Sequence, residues 1–219
     1  MSLAIKRALI TGASSGIGLS YCHALAAQKT DLVIVARDKK ALDGLANNLS
    51  KQYSIQVIPI ALDLGKADAA QTIWNMLQKQ KIVIDCLINN AGYGDTGAFL
   101  DLSWYDHERM IRTMLTTLTA LCYVFLPQLK KHQRSYIINV SSIAGLIHFS
   151  IKKRMLRMLY PPIKNYVAHF SQQLAMAYRD DGVVIQALCP GLTVTAFHQR
   201  TGENDLYSRM PKWMWSSSD

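Results

Sequence analysis

The chain has 219 residues, half of them hydrophobic and 18 % charged, which suits one sizeable folded core and argues against wholesale disorder. Its 24 basic residues against 15 acidic ones leave a net charge of +9. The basic residues are spread out except at 152–157, and no helix-turn-helix, zinc or RNA-binding signature accompanies them, so a nucleic-acid partner is not expected. Cys22, Cys86, Cys122 and Cys189 are scattered, lack CxxC spacing and read as reduced core residues, not as a metal site or disulfide framework. The N-terminus runs straight into a strand without a signal-peptide pattern, and no apolar run looks long enough to span a bilayer; the expected compartment is the cytoplasm.

In chain order, strands are predicted at 7–10, 32–36, 55–61, 82–88, 136–140 and 183–188. Between them lie helical stretches at 17–27, 39–50, 66–79, 104–133 and 165–179. Apolar strands alternating with helices indicate an α/β fold: a doubly wound parallel sheet covered on both faces, with right-handed crossovers. There is no repeat and no linker-like break, so residues 1–219 are read as a single domain.

The first strand ends in Thr11-Gly-Ala-Ser-Ser-Gly-Ile-Gly18 and a helix follows. Gly12 suits a tight turn, Gly16 lets a pyrophosphate approach the main chain, and Gly18 allows close packing of helix on sheet. The helix N-terminus at Gly16 and Ile17 offers free amides to phosphate, and Ser14 and Ser15 add hydroxyl donors. This pattern points to a dinucleotide. The second strand ends in Val35-Ala36-Arg37-Asp38, where Arg37 can pair with a ribose 2′-phosphate in bidentate fashion. Asp38 is a competing signal for a 2′-hydroxyl, and equally a cap for the helix starting near Lys39. Arg37 favours NADP(H) over NAD(H).

Further motifs follow in order: Asn89-Asn90-Ala91-Gly92 after the fourth strand, Ser142, Tyr160-xxx-Lys164 and Pro190-Gly191. Together with the glycine turn they resemble the short-chain dehydrogenase/reductase family, in its single-domain Rossmann-like form. Only Tyr160 among the ten tyrosines has a lysine four residues on. The resemblance implies that Asp63 and Leu64 contact the adenine, and that Asn89, Ala91 and Gly92 pass beside its ribose. It also implies that Pro190, Gly191 and Thr193, with Thr195 nearby, meet the nicotinamide carboxamide. Catalysis would fall to Ser142, Tyr160 and Lys164.

Tyr160 is the expected general acid for carbonyl reduction and base for the reverse. A free tyrosine has a pKa near ~10. Lys164 stands one helical turn on, so the two side chains share a face, and its charge favours the phenolate. Lowering the tyrosine pKa by about three units takes about 4 kcal/mol of differential stabilisation. Ser142 would hold the substrate carbonyl in place for hydride transfer.

Three departures from the family pattern bear on activity. The family's usual Asn in the long fourth helix, which helps hold a proton-relay water, aligns with Met114, and Met offers no useful hydrogen bond. Ser142 and Tyr160 are 18 residues apart, a longer spacing than usual, and Pro161-Pro162, tolerated only in a helix's first turn, start the following helix at about Tyr160. The extra residues at 150–159 carry Ile151, Met155 and Leu159 at every fourth position with basic residues between. A solvated insertion with its apolar side on the core is the favoured reading, and docking of 152–159 on a membrane or acidic partner the other. Finally, the family's next helix and seventh strand are missing, which leaves the sixth strand as an expected sheet edge, covered by another chain or exposed by truncation. Residues 196–215 resemble a substrate lid, with Phe197, Trp213 and Trp215 as apolar contacts.

The expected activity is NADP(H)-dependent interconversion of a small apolar carbonyl compound and a secondary alcohol. The alternative is a catalytically impaired relative that binds nucleotide for a binding or regulatory role. The resemblance implies a homodimer or homotetramer paired through the helices at 104–133 and 165–179.

Overall fold

The computed structural model describes residues 5–94, 98–147, 158–194 and 215–217. Six strands, β1 (Arg7–Thr11), β2 (Asp31–Ala36), β3 (Val57–Ala61), β4 (Cys86–Asn89), β5 (Ser135–Val140) and β6 (Val183–Leu188), form one sheet in the order β3-β2-β1-β4-β5-β6. Every pairing is parallel. The order reverses between β1 and β4, so the strand ends there open into the crevice where doubly wound sheets bind ligands.

Alternation along the strands divides the core into two layers. Ala8, Ile10, Leu32, Ile34, Cys86 and Ile88 pack under α1 (Gly16–Ala27) and α2 (Lys39–Tyr53). Leu9, Val33, Val35, Leu87 and Ile137 point to the other face. There they meet α3 (Ala69–Lys79), α5 (Thr117–Leu129) and α6 (Tyr160–Ala177). Burial on both faces is why the strands read as unbroken apolar runs. Cys22, Cys86 and Cys122 are free and buried in these layers, and burial pushes their thiols up to about 12.

Three predicted elements come out differently. The fourth strand starts later than predicted, at Cys86. Asp85 accepts from the Lys6 and Arg7 amides at 2.8 and 2.9 Å, and Gln128 Oε1 accepts from the Ile84 amide at 3.1 Å. The helix expected over 104–133 is α4 (Trp104–Ile111), a π-turn (Arg112–Thr116) and α5, ending at Leu129. This run is long and apolar enough to cross a membrane by length and composition, contrary to the sequence reading. Its apolar residues Leu118, Leu121, Phe125 and Leu129 instead fill the core beneath the sheet. Lastly, α6 begins at Tyr160, five residues ahead of the periodic stretch at 165–179 and at the start expected from Pro161 and Pro162. Pro161 and Pro162 fit in its first turn, where amides have no helical partner.

Beyond β6 a small parallel pair forms between β7 (Leu192–Val194) and β8 (Trp215–Ser217). Among the described residues β6 has one strand neighbour, as expected of a sheet edge. Thr195, the insertion at 150–157 and the lid residues 196–214, with Phe197 and Trp213, lie outside the described residues.

Candidate active site

The glycine turn joins β1 to α1 at the switch point. Gly12 and Gly16 have φ of +66° and +54°, a region open to glycine at little cost. A Cβ on Gly12 would stand 2.8 Å from Asn90 Nδ2, and one on Gly18 would stand 2.3 Å from the Gly12 carbonyl oxygen. The two glycines therefore let β1, α1 and the β4 turn close on one another. Asn90 locks that contact by donating through Nδ2 to the Thr11 and Gly12 carbonyls at 3.0 and 3.2 Å. Thr11 Oγ1 in turn accepts from the Asn90 and Ala91 amides. Ser15 is the N-cap of α1 yet makes no capping bond through its side chain, and no acid occupies the first turn. The helix thus keeps the amide donors and partial positive charge that suit a phosphate. Ser14 and Ile17 lie half-buried on the same turn.

Arg37 is exposed just past β2. Asp38 Oδ1 accepts from the Ala41 amide at 3.0 Å, so this residue caps α2. That bond accounts for the carboxylate which competed with Arg37 in the sequence reading. Asp63 meets Arg109 of α4, whose Nη2 donates to Asp63 Oδ2 at 2.7 Å. Nothing local in the sequence signals this pair, because its members are 46 residues apart. Leu64 is buried in the core, and its carbonyl accepts from Thr117 Oγ1.

Asn89 is directed inward. Its Nδ2 donates to Asn139 Oδ1 at 2.9 Å, tying β4 to β5, and only 3 % of the residue is exposed. Its side chain serves the sheet, while Asn90 shapes the turn. Asn90 escaped the sequence reading, although the doubled Asn was a signal for it.

Ser142, Tyr160 and Lys164 are all buried. Ser142 lies two residues past β5 and caps a short 3-10 turn, its Oγ accepting from the Ala144 amide at 3.1 Å. Three hydrogen bonds join this segment to α6. Ser141 Oγ donates to the Lys164 carbonyl at 2.6 Å, Lys164 Nζ to the Val140 carbonyl at 2.7 Å, and Asn165 Nδ2 to the Gly145 carbonyl at 2.7 Å. The Lys164 ammonium stands 5.6 Å from the centre of the Tyr160 ring. Burial pushes the lysine down to about 8, with Cys189 acting weakly the other way. Gly145 completes the junction: a Cβ there would stand 2.5 Å from the Asn165 nitrogen. Sequence reading missed Gly145 and Ser141, because their importance lies in contacts with α6.

Pro190 and Gly191 run alongside. The Pro190 carbonyl accepts from the Ile143 amide at 3.1 Å, and Thr193 Oγ1 donates to the Gly191 carbonyl at 3.2 Å. Met114 sits mid-way along the π-turn, packed with Met110, Tyr160 and Ile163. Its Cε and the Lys164 Nζ both lie within 4 Å of the point where a Cβ on Gly92 would be. The thioether therefore borders the lysine pocket.

An NAD(P)-type cofactor fits this arrangement. The α1 N-terminus, with no side-chain cap and no acid in its first turn, opens at the switch point of the sheet, with the exposed Arg37 just past β2 and the buried Tyr160–Lys164 pair on α6.

The fold and these motifs define a short-chain dehydrogenase. The sequence profile of that family matches residues 6–206, and the chain belongs to it. It is 32 % identical over 194 residues to the NADP-dependent 3-hydroxy acid dehydrogenase of Schizosaccharomyces pombe, covering 88 % of this chain and 73 % of that protein. It is 30 % identical to the very-long-chain 3-oxoacyl-CoA reductase-A of Danio rerio over 87 % of this chain, and spans 59 % of that relative's length. Among solved structures, a short-chain dehydrogenase from Sphingobium yanoikuyae in complex with NADPH superposes with a TM-score of 0.86 at 31 % identity, covering 98 % of this chain and 80 % of that one.

Proposed function

We propose that this protein is an NADP(H)-dependent oxidoreductase that interconverts a small apolar carbonyl compound and a secondary alcohol. The carrying observation is the buried Lys164 ammonium 5.6 Å from the Tyr160 ring, on a helix hydrogen-bonded to the Ser142 segment. The NADPH complex of the Sphingobium relative and the name of the S. pombe dehydrogenase support the choice of cofactor.

Gly12, Ser14, Ser15, Gly16, Ile17 and Gly18 would hold the pyrophosphate and Arg37 the 2′-phosphate. Asp63, Leu64, Asn89, Ala91 and Gly92 would line the adenosine, the buried Asn89 through its backbone. Pro190, Gly191, Thr193 and Thr195 would meet the carboxamide. When bound, the nicotinamide supplies or accepts the hydride. Ser142 Oγ holds the substrate oxygen by a hydrogen bond. The Tyr160 hydroxyl gives its proton to that oxygen in reduction and removes it in oxidation. Lys164 favours the phenolate by charge, an effect strengthened by exclusion of water. The exposed Tyr123 on α5 and Met176 on α6 support pairing of copies through these helices as a homodimer or homotetramer.

The test follows NADPH consumption with a panel of ketones and aldehydes. Turnover by the wild type, lost in Tyr160→Phe while NADPH binding persists, is the expected result. Turnover unaffected by Tyr160→Phe overturns the mechanism. Met114 favours a second reading, that of a catalytically impaired nucleotide-binding relative, because it puts an apolar side chain beside Lys164 where the family has a relay Asn. Under that reading the wild type binds NADPH without turnover, and Met114→Asn gains activity.

A further inference from the structure

Asp63 is held from two sides. Its Oδ2 accepts from Arg109 Nη2 at 2.7 Å, and its Oδ1 accepts from the Gly65 amide at 3.0 Å. Gly65 makes room for the arginine, since a Cβ there would stand 2.9 Å from Arg109 Cγ. Burial pushes the Asp63 carboxyl up. The Gly65 amide, the hydrogen bond and charge of Arg109, and the charge of Arg37 together outweigh that and hold it below the usual carboxylate range. Strand register pairs Ala36 with Ala61, and the Leu62 amide donates to the Ala36 carbonyl at 2.9 Å, so Arg37 and Asp63 leave adjacent strand ends, with Arg109 reaching the carboxylate from α4. Among the described residues only Arg109 pairs with it, and Arg37 makes no ion pair.

This division of labour matters for an anionic ligand. An unmasked carboxylate near Arg37 competes for its guanidinium and repels a phosphate brought to the same place. We propose that Arg109 is a positioning residue for cofactor selectivity: its ion pair with Asp63 masks that carboxylate and leaves Arg37 available to the 2′-phosphate that distinguishes NADP(H) from NAD(H). The inference rests on the NADP(H) reading above. Arg109 touches Asp63 and acts through it.

The experiment measures dissociation constants for NADPH and NADH by titration calorimetry. It compares the wild type, Arg37→Asp, Arg109→Lys, Arg109→Met, Asp63→Asn and the double variant Arg109→Met/Asp63→Asn, with thermal melts to verify folding. Wild-type preference for NADPH, lost in Arg37→Asp, secures the underlying reading independently. Arg109→Met then lowers the NADPH/NADH preference about tenfold, the order expected for one unmasked charge near a protein surface. Arg109→Lys keeps most of the preference. The double variant recovers it, because no carboxylate remains to be masked. Equal weakening of both cofactors by Arg109→Met, or a double variant no better than Arg109→Met, overturns the role of Arg109 alone. A wild type that binds NADH as tightly as NADPH overturns the NADP(H) reading and this inference with it.

Discussion

Lys164 is 5 % exposed, and its ammonium donates to a main-chain carbonyl, with no carboxylate paired to it among the described residues. Burial without a full counter-charge lowers its pKa to about 8, against 10.5 for an ordinary lysine. Between about 8 and 10.5 the unfolded chain binds this proton and the folded chain does not. Folding stability is therefore expected to rise with pH across that window, by roughly 3 kcal/mol from this residue. Denaturant midpoints measured from pH 7 to pH 10.5 check this. Lys164→Met removes that rise and is the more stable protein, relative to wild type, at the lower end. A wild type and variant with parallel profiles contradict the assigned burial of the charge.

Among elements, the junction of β5 with α6 governs the geometry of the proposed chemistry. Ser142 and Lys164 come from segments that meet at Gly145, where the chain approaches the α6 backbone more closely than any side chain allows. Gly145→Ala forces the helix outward. The expected cost is about 1–3 kcal/mol of stability, typical of overpacking, together with a loss of turnover out of proportion to the loss of NADPH affinity. Melting temperatures and single-turnover rates measure the two effects separately. The π-turn is a second such device. An extra residue wound into the helix between α4 and α5 accompanies the placement of Met114 against the lysine pocket, and π-turns recur at functional sites. The hydrophobic period of the sequence showed a single long helix here. A local change in winding barely alters which residues are apolar, so the period does not register it.

For the whole molecule, the exposed side chains of α5 and α6 carry the assembly proposal. Tyr123 is 80 % exposed and Met176 70 % exposed, on the two helices expected to meet a second copy. The double variant Tyr123→Asp/Met176→Asp, which alters no core residue, is expected to lower the mass seen by light scattering at an unchanged melting profile in dilute solution. An unaltered mass removes these helices as the contact. As to what was legible beforehand, the strand–helix alternation, the two-sided burial of the sheet, the glycine turn, the Tyr–Lys spacing and the early start of α6 forced by Pro161 and Pro162 could all be read from residue order. Each depends on interactions among near neighbours or on a period repeated along one element. The Arg109–Asp63 pair, the inward turn of Asn89, the approach of Gly145 to α6 and the hold of the Asp85 carboxylate on the Lys6 and Arg7 amides could not. They join residues from about 20 to nearly 80 positions apart, and their partners are chosen by how the layers pack, which no local pattern encodes.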